Sequence, residues 1–239
     1  MKSIAITSGK GGTGKSCIAA YTGAALAMQG RKTLLLELGC GYRSLDIIAG
    51  VQDQVVYDIA DVLSGCCDLE KAIVQTQYHE NLFLLPAGLS PAAGVDNAWL
   101  GGVLRTLSTE FDMVILDGVD FAAFSPRLVD IVLQVLTPDT LCIRACAQQS
   151  RALCELGAKQ LRLVINQVPA EILPMQGARD FDDIIDQVGA QLIAVIPESP
   201  KLRYASNNAR RLDPESITVR VFGNLAGRLQ GKRLPLLIR

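Results

Sequence analysis

Residues 2–16 read KSIAITSGKGGTGKS and carry the clearest structural signal in the chain. Lys2–Thr7 is a short apolar run of the kind that forms a buried strand. Lys15–Gln29 is a helical stretch followed by Gly30, and helices often end at a glycine. Because the residues between these two segments are rich in glycine, the sequence predicts a strand, a tight loop and a helix in direct succession.

The loop fits the pattern G-x-x-x-x-G-K-S/T, in which Gly14 precedes Lys15 and Ser16. Glycines let consecutive N–H groups wrap closely around phosphate oxygens, and the helix N-terminus adds partial positive charge. We expect Lys15 to contact the β- and γ-phosphates of a nucleotide and Ser16 to ligate Mg²⁺. The residues of this segment predicted to bind the nucleotide are Gly9, Lys10, Gly11, Gly12, Thr13, Gly14, Lys15, Ser16 and Cys17.

Short runs of Val, Ile and Leu alternate with helical segments along the rest of the chain. Further strands are predicted at Thr33–Leu38, Asn81–Leu85, Met113–Asp117, Ile131–Leu136, Leu161–Asn166 and Gln191–Ile196. Further helices are predicted at Val56–Leu63, Trp99–Glu110, Gln149–Leu156, Phe181–Val188 and Ile217–Leu229. This alternation predicts an α/β fold with a doubly wound, mostly parallel sheet flanked by helices.

The length of 239 residues, 49% of them hydrophobic, is enough for one substantial core. We therefore expect a single domain over residues 1–239, with residues 231–239 as a short basic and apolar C-terminal tail. No apolar run reaches the roughly 20 residues that cross a bilayer, and glycines interrupt the start of the chain where a signal peptide is apolar. These features favour a cytoplasmic protein.

Asp117 is the second candidate site residue, because it follows the apolar run Met113–Leu116. Ligands of parallel sheets bind at the carboxyl ends of the strands. Asp117 therefore looks like the carboxylate of a Walker B strand, which holds the Mg²⁺ coordination shell. A buried or capping aspartate is the alternative.

Lys10 is an additional lysine that an ordinary phosphate-binding loop does not require. With it, residues 10–16 (KGGTGKS) resemble the deviant Walker A box of the MinD/ParA family of partitioning and division-site ATPases. The likeness covers nearly the whole chain and is closest to the MinD branch. The other stretches that carry it are GYRSLD at 41–46, VVYDI at 55–59, ENLFLLPA at 80–87 and VIPE at 195–198.

This resemblance implies a P-loop NTPase fold of the nitrogenase iron protein type, with ATP or ADP and Mg²⁺ as cofactors. It implies that Lys10 reaches across an ATP-dependent homodimer to the partner's nucleotide. It also implies that Asn166 contacts the adenine and that Pro197 borders the base, although a turn asparagine is the alternative for Asn166. The predicted catalytic residues are Lys10, Lys15, Glu37 and Asp117.

The chain departs from the family pattern at two places. The second strand of these ATPases usually ends in D-x-D, and Glu37 and Gly39 occupy those places here. The loop after Asp117 reads Gly118-Val119-Asp120-Phe121 instead of the usual D-x-P-x-G-like switch. Because water positioning is sensitive to displacements of about 1 Å, we expect slow or absent hydrolysis. The alternative function is therefore a nucleotide-dependent interaction module that hydrolyses little ATP.

Residues 201–239 carry nine Lys or Arg against two acids. Such a segment can attract an anionic membrane, nucleic acid or an acidic protein, or can form a solvated face. The resemblance implies a regulatory or effector protein partner and peripheral contact with the inner face of the cell membrane. Pro235 interrupts any helix in the tail, so packing on the domain or disorder is the alternative. DNA binding, as in ParA-like relatives, would use Arg203, Arg210, Arg211 and Arg220.

The seven cysteines are scattered and form no C-x-x-C pair, which favours reduced thiols. A metal cluster of Cys142, Cys146 and Cys154 is the alternative. Residues 117–125 lack the cysteines with which the nitrogenase iron protein group binds a cluster. The role that the resemblance implies is placement of a division site or of cargo.

Overall fold

The computed structural model describes residues 1–39, 43–89, 95–171, 178 and 180–237. The strands within these ranges are β1 (Lys2–Thr7), β2 (Thr33–Glu37), β3 (Val74–Gln75), β4 (Leu82–Leu85), β5 (Met113–Asp117), β6 (Ile131–Leu136), β7 (Leu161–Val168) and β8 (Gln191–Pro197). The helices are α1 (Lys15–Met28), α2 (Leu45–Ala49), α3 (Ile59–Leu63), α4 (Leu69–Ala72), α5 (Asn97–Leu107), α6 (Thr140–Glu155), α7 (Phe181–Val188), α8 (Pro200–Asn207) and α9 (Ile217–Leu229), with a 3₁₀ turn at Pro126–Leu128.

The strands form one sheet in the order β3-β4-β2-β5-β1-β6-β7-β8. All neighbouring pairs are parallel except β3 and β4, which confirms the predicted doubly wound, mostly parallel fold. Helix α1 carries the chain from β1 towards β2 on one side, whereas α6 carries it from β6 to β7 on the other. The crevice at the carboxyl ends of β1 and β6 is therefore the position where such sheets bind ligands.

Helices cover both faces of the sheet because successive strand residues point to opposite sides. On one face, Ile4 and Ile6 of β1 pack in the same core as α1, α2, α8 and α9. On the other face, Ala5 packs with α3 and α5. A third cluster joins α6 and α7 to β7 and β8. Because both faces of the sheet are buried, the strands are apolar along nearly their whole length.

The seven predicted strands are confirmed, but several short elements escaped prediction. Strand β3 spans two residues at the edge of the sheet, and α2, α4 and α8 are too short to show a clear helical period. Helix α6 begins at Thr140, well before its predicted start at Gln149, and the Asp139 carboxylate caps it by accepting the Cys142 N–H at 2.9 Å. Residues 40–42, which include the start of the predicted 41–46 stretch, lie outside the described residues.

The described part of the tail, residues 231–237, runs back along α9. The Asn224 side chain donates to the Pro235 carbonyl at 3.1 Å, and Leu234 lies so close to Gly227 that a Cβ there would be 2.5 Å from its Cδ1. Ile238 and Arg239 fall outside the described residues. Among the residues described, none of the helices has the length and apolar character of a bilayer span.

Two helical glycines offer a matched test of this packing. A Cβ on Gly23 in α1 would lie 2.8 Å from Cδ2 of the buried Leu35, whereas a Cβ on Gly102 in α5 would meet nothing within 4 Å. We expect Gly102→Ala to raise the free energy of unfolding by about 0.5–1 kcal/mol through helix propensity. Gly23→Ala should lower it by about 1–3 kcal/mol through overpacking. Urea denaturation measures both, and stabilisation by both variants would contradict close packing of α1 on the sheet.

Candidate nucleotide-binding site

The P-loop, Gly9–Ser16, joins β1 to α1. Gly12 and Gly14 adopt the left-handed conformation, with φ of 79° and 89°. Among the described side chains none caps α1 at Gly14, so its first N–H groups are left for a ligand. A Cβ added at Gly11 or Gly12 would meet no described atom within 4 Å. The loop therefore presents an open backbone surface at a helix N-terminus, which is an anion-binding arrangement.

Gly9 and Lys10 connect the P-loop to α6. A Cβ on Gly9 would lie 2.6 Å from the Ala145 carbonyl carbon, so the loop lies directly against α6. The Lys10 ammonium lies 3.4 Å from Asp139 Oδ1, and the two side chains are 48% and 42% exposed. The predicted second lysine is thus held within its own subunit, across the crevice between β1 and β6.

The Asp139 carboxylate has three partners in addition to its position at the start of α6. Thr137 Oγ1 donates to it at 2.6 Å, and the Cys142 N–H and the Lys10 ammonium are the other two. Partial burial raises the pKa of Asp139, but these hydrogen bonds outweigh it and hold the pKa below its usual range. Asp139 is therefore a charged anchor for Lys10 at neutral pH.

Asp117 ends β5 directly beside the P-loop. It is 3% exposed, and burial raises its pKa, while hydrogen bonding from Ser16 and the charge of Lys15 oppose that rise. Its Oδ1 atom has no hydrogen-bond partner among the described residues. A buried carboxylate oxygen without a partner, next to a serine hydroxyl, is suited to ligate a divalent cation.

Glu37 is the strand-end neighbour of Asp117, because the two residues are register partners in β2 and β5. Its Oε1 accepts hydrogen bonds from the Ser44 N–H at 2.7 Å, the Ser44 hydroxyl at 3.2 Å and the Leu45 N–H at 3.1 Å. One oxygen thus caps the start of α2, while Oε2 is buried without a partner among the described residues. Burial raises the pKa of Glu37, and the nearby Asp117 charge adds to the rise.

Gly39 and Gly118, at the two departures from the family pattern, lie back to back. A Cβ on Gly118, whose φ is 76°, would be 2.5 Å from the Gly39 nitrogen. A Cβ on Gly39 would have only an ordinary contact, 3.6 Å from the Gly118 Cα. The backbone at Gly118 therefore needs glycine, whereas the described residues leave room for a Cβ at Gly39.

A second cleft, of about 230 Å³, opens beside the P-loop between the ends of β7 and β8. We call it the β7–β8 cleft. Four residues of the predicted nucleotide-binding set line it, namely Gly14, Cys17, Asn166 and Pro197. Helix α8, which was not predicted, supplies Leu202 and Ser206, and Cys17 Sγ lies 3.2 Å from Ser206 Oγ.

Two neighbouring amides at the end of β7 contact the P-loop backbone. Asn166, 4% exposed, donates from Nδ2 to the Thr13 carbonyl at 2.7 Å. Gln167 donates from Nε2 to the Gly12 carbonyl at 3.4 Å. The sequence had indicated Asn166 but not Gln167, Asp139 or α8, although Asp139-Thr140 at the start of α6 and Ser199-Pro200 at the start of α8 are helix-start signals.

A glycine-rich loop between a central parallel strand and a helix, with a buried aspartate on the adjacent strand, defines the class of P-loop nucleotide-binding proteins. Residues 4–212 match the family described as the CobQ/CobB/MinD/ParA nucleotide binding domain. The chain belongs to this family, and the MinD/ParA resemblance found in the sequence is confirmed.

Individual relatives agree with that assignment. The chain is 31% identical over 244 residues to the septum site-determining protein MinD of Synechocystis sp., covering 98% of this chain and 91% of that protein. Among solved structures, MinD in the MinC:MinD cell division protein complex of Aquifex aeolicus has a TM-score of 0.85 at 31% identity, with 99% of each chain covered. MinD of Pyrococcus horikoshii complexed with Mg-ADP has a TM-score of 0.79 at 28% identity, with 95% of each chain covered.

Replacing Asp117 should separate stability from cation binding. In Asp117→Asn the amide oxygen can still accept from Ser16, while a buried charge is removed. We expect the free energy of unfolding without ligand to rise by about 1 kcal/mol in urea denaturation. The extra stabilisation that Mg²⁺ gives in the presence of ATP should be lost, and an undiminished Mg²⁺ effect would contradict the cation role.

Asp130→Asn is the matched control, because Asp130 lies away from the site and accepts from the Ser3 N–H at 2.9 Å. Burial raises its pKa, but hydrogen bonds from Ser3 and Lys159 outweigh this and lower it. A lowered carboxyl pKa stabilises the fold above the ordinary Asp value. This control should therefore lose stability at neutral pH, and the difference should vanish as the pH falls through the lowered pKa.

Proposed function

We propose that this protein is a MinD-like switch that binds Mg-ATP, dimerises around it and hydrolyses it slowly. The observation that carries the proposal is the continuity of the P-loop with the β7–β8 cleft, since Gly14 belongs to both and Cys17, directly after the loop, also lines the cleft. A phosphate cradle that opens directly onto a cleft of about 230 Å³ suits a ligand that joins phosphates to a larger group better than it suits an isolated anion. ADP is the expected product, and the same groups would hold it.

Each predicted residue has a role in this proposal. The P-loop N–H groups and Lys15 would hold the phosphates, and Ser16 and Asp117 would hold Mg²⁺, which neutralises phosphate charge when bound. Pro197 would border the base, and Asn166, for which the family resemblance implies an adenine contact, lines the same cleft. Lys10 would leave Asp139 and complete the nucleotide site of the partner subunit, which links dimerisation to bound ATP.

The biological role that the relatives support is placement of the division site or of cargo, through a regulatory or effector protein. The complex of MinD with MinC from Aquifex aeolicus supports a protein partner of this kind. Contact with an anionic membrane stays a prediction. Because Leu234 and Pro235 contact α9, the tail would have to detach before it could bind a membrane.

A second candidate, an interaction module that dimerises with ATP and hydrolyses almost none, is favoured by the contacts of Glu37. Its Oε1 is committed to the start of α2, which leaves one carboxylate oxygen to orient water. Gly39 offers no side chain to assist it. Both candidates bind ATP, so turnover separates them.

Lys10→Ala tests the switch directly. We expect ATP-dependent dimerisation, followed by light scattering, and phosphate release from Mg-ATP both to fall to background, because the trans contact is lost. Lys159→Ala is a closely matched control: its ammonium also lies 3.4 Å from a carboxylate, Asp130, and the two side chains are 52% and 41% exposed. The switch is wrong if Lys10→Ala behaves like the control, and dimerisation of the wild type without turnover selects the second candidate.

Gly39→Asp should increase hydrolysis. The variant restores the second carboxylate of the D-x-D pattern, and position 39 has room for a Cβ. We expect phosphate release per dimer to rise about tenfold or more, since positioned acid–base groups contribute at least that much. Gly39→Asn, which has the same shape without the charge, should stay near the wild-type rate, and equal rates for Asp and Asn would refute the role of the carboxylate.

A further inference from the structure

Two side-chain amides at the end of β7 donate hydrogen bonds to backbone carbonyls of the P-loop. Asn166 Nδ2 lies 2.7 Å from the Thr13 carbonyl oxygen, and Gln167 Nε2 lies 3.4 Å from the Gly12 carbonyl oxygen. The two donors are consecutive in β7, and the two acceptors are consecutive in the loop. The first contact is buried and short, so it is the stronger of the two.

These contacts fix the direction of two peptide planes. No cis peptide bond occurs among the described residues, and in a trans peptide the C=O and the following N–H point in opposite directions. An amide that holds the Thr13 carbonyl therefore sets the direction of the Gly14 N–H, and one that holds the Gly12 carbonyl sets that of the Thr13 N–H. Consecutive N–H groups that point to the same side form an anion-binding concavity.

The end of β7 packs so closely against the P-loop that only particular residues can occupy the contact. A Cβ on Gly14 would lie 2.5 Å from Asn166 Nδ2. Gln167 has φ of 56°, a left-handed conformation that is unfavourable for a non-glycine residue. The register of β7 against β8 is also irregular between Ile165 and Val168, so the chain bends where both amides turn towards the loop.

We infer that Asn166 and Gln167 are positioning residues for the P-loop, holding its carbonyls so that its N–H groups face the phosphates before nucleotide arrives. This role rests on the proposed nucleotide binding, and it differs from contact with the adenine. A positioning role acts through the phosphates and is indifferent to the base. A side chain that contacts the base affects the affinities for ATP and GTP differently, and it does not affect the affinity for a ligand without a base.

Inorganic tripolyphosphate, which lacks base and sugar, separates the two roles. We expect Asn166→Ala to weaken calorimetric binding of ATP, GTP and tripolyphosphate by a similar factor of about ten. Asn224→Ala is the matched control, because Asn224 also donates to a backbone carbonyl, that of Pro235 at 3.1 Å, but lies on α9. It should leave all three affinities unchanged.

Gln167→Gly separates positioning from stability. Glycine adopts the left-handed conformation without strain, so the melting temperature should stay the same or rise. Loss of the amide should still weaken tripolyphosphate binding, by about threefold, because the Gly12 contact is long. If Gln167 only stabilised the fold, the melting temperature and the tripolyphosphate affinity would change in the same direction. Tighter tripolyphosphate binding in this variant would overturn the inference for Gln167.

Amide hydrogen exchange of residues 11–14 without ligand tests the same contact independently of binding. Exchange should be faster in Asn166→Ala than in wild type and Asn224→Ala. Unchanged exchange, or a loss of ATP affinity with tripolyphosphate unaffected, would overturn the inference and leave the base contact. If wild type binds neither ATP nor tripolyphosphate, the proposed function fails, while the exchange rates still report whether Asn166 orders the loop.

Discussion

The position of β1 at the centre of the sheet is the constraint on which the site depends. Hydrogen bonds to β5 on one edge and β6 on the other fix its carboxyl end in space. The P-loop starts from that end, Asp117 comes from β5 on one side, and Asp139 follows β6 on the other. Groups that are far apart in sequence therefore meet at one edge because parallel strands end there together.

The same arrangement buries two carboxyl groups, whose charged forms are unfavourable away from water. Glu37 and Asp117 are buried at the ends of adjacent strands, and burial raises the pKa of each. Each also has one oxygen without a hydrogen-bond partner among the described residues. Such groups lower the stability of the ligand-free protein and are retained where a ligand uses them. At Glu37, the hydrogen bonds that its Oε1 accepts from the Ser44 and Leu45 N–H groups at the start of α2 offset part of this loss of stability.

Motif and periodicity were enough to predict the sheet, the P-loop and Asp117, because each is encoded by adjacent residues. The sequence also indicated Asn166, but its hydrogen bond to the Thr13 carbonyl was not predicted, because nothing local in β7 indicates which way its amide points. Lys10 was expected to act on a partner subunit, and its contact with Asp139 depends on where α6 begins. Helix α8 was missed because it is short, although it forms one wall of the β7–β8 cleft. Tertiary packing, rather than local pattern, determines these contacts.

The contact between Lys10 and Asp139 depends on the ionic strength of the solution. Both side chains are nearly half exposed, so dissolved ions screen their attraction, with a Debye length of about 8 Å at physiological ionic strength. Lys10 near a triphosphate would instead lie among several negative charges in a closed interface, where screening is weaker. In the proposed dimer, rising salt concentration would therefore weaken the contact of Lys10 with Asp139 more than its contact with the partner's phosphates. The ionic composition of the surroundings would then control how readily Lys10 leaves Asp139.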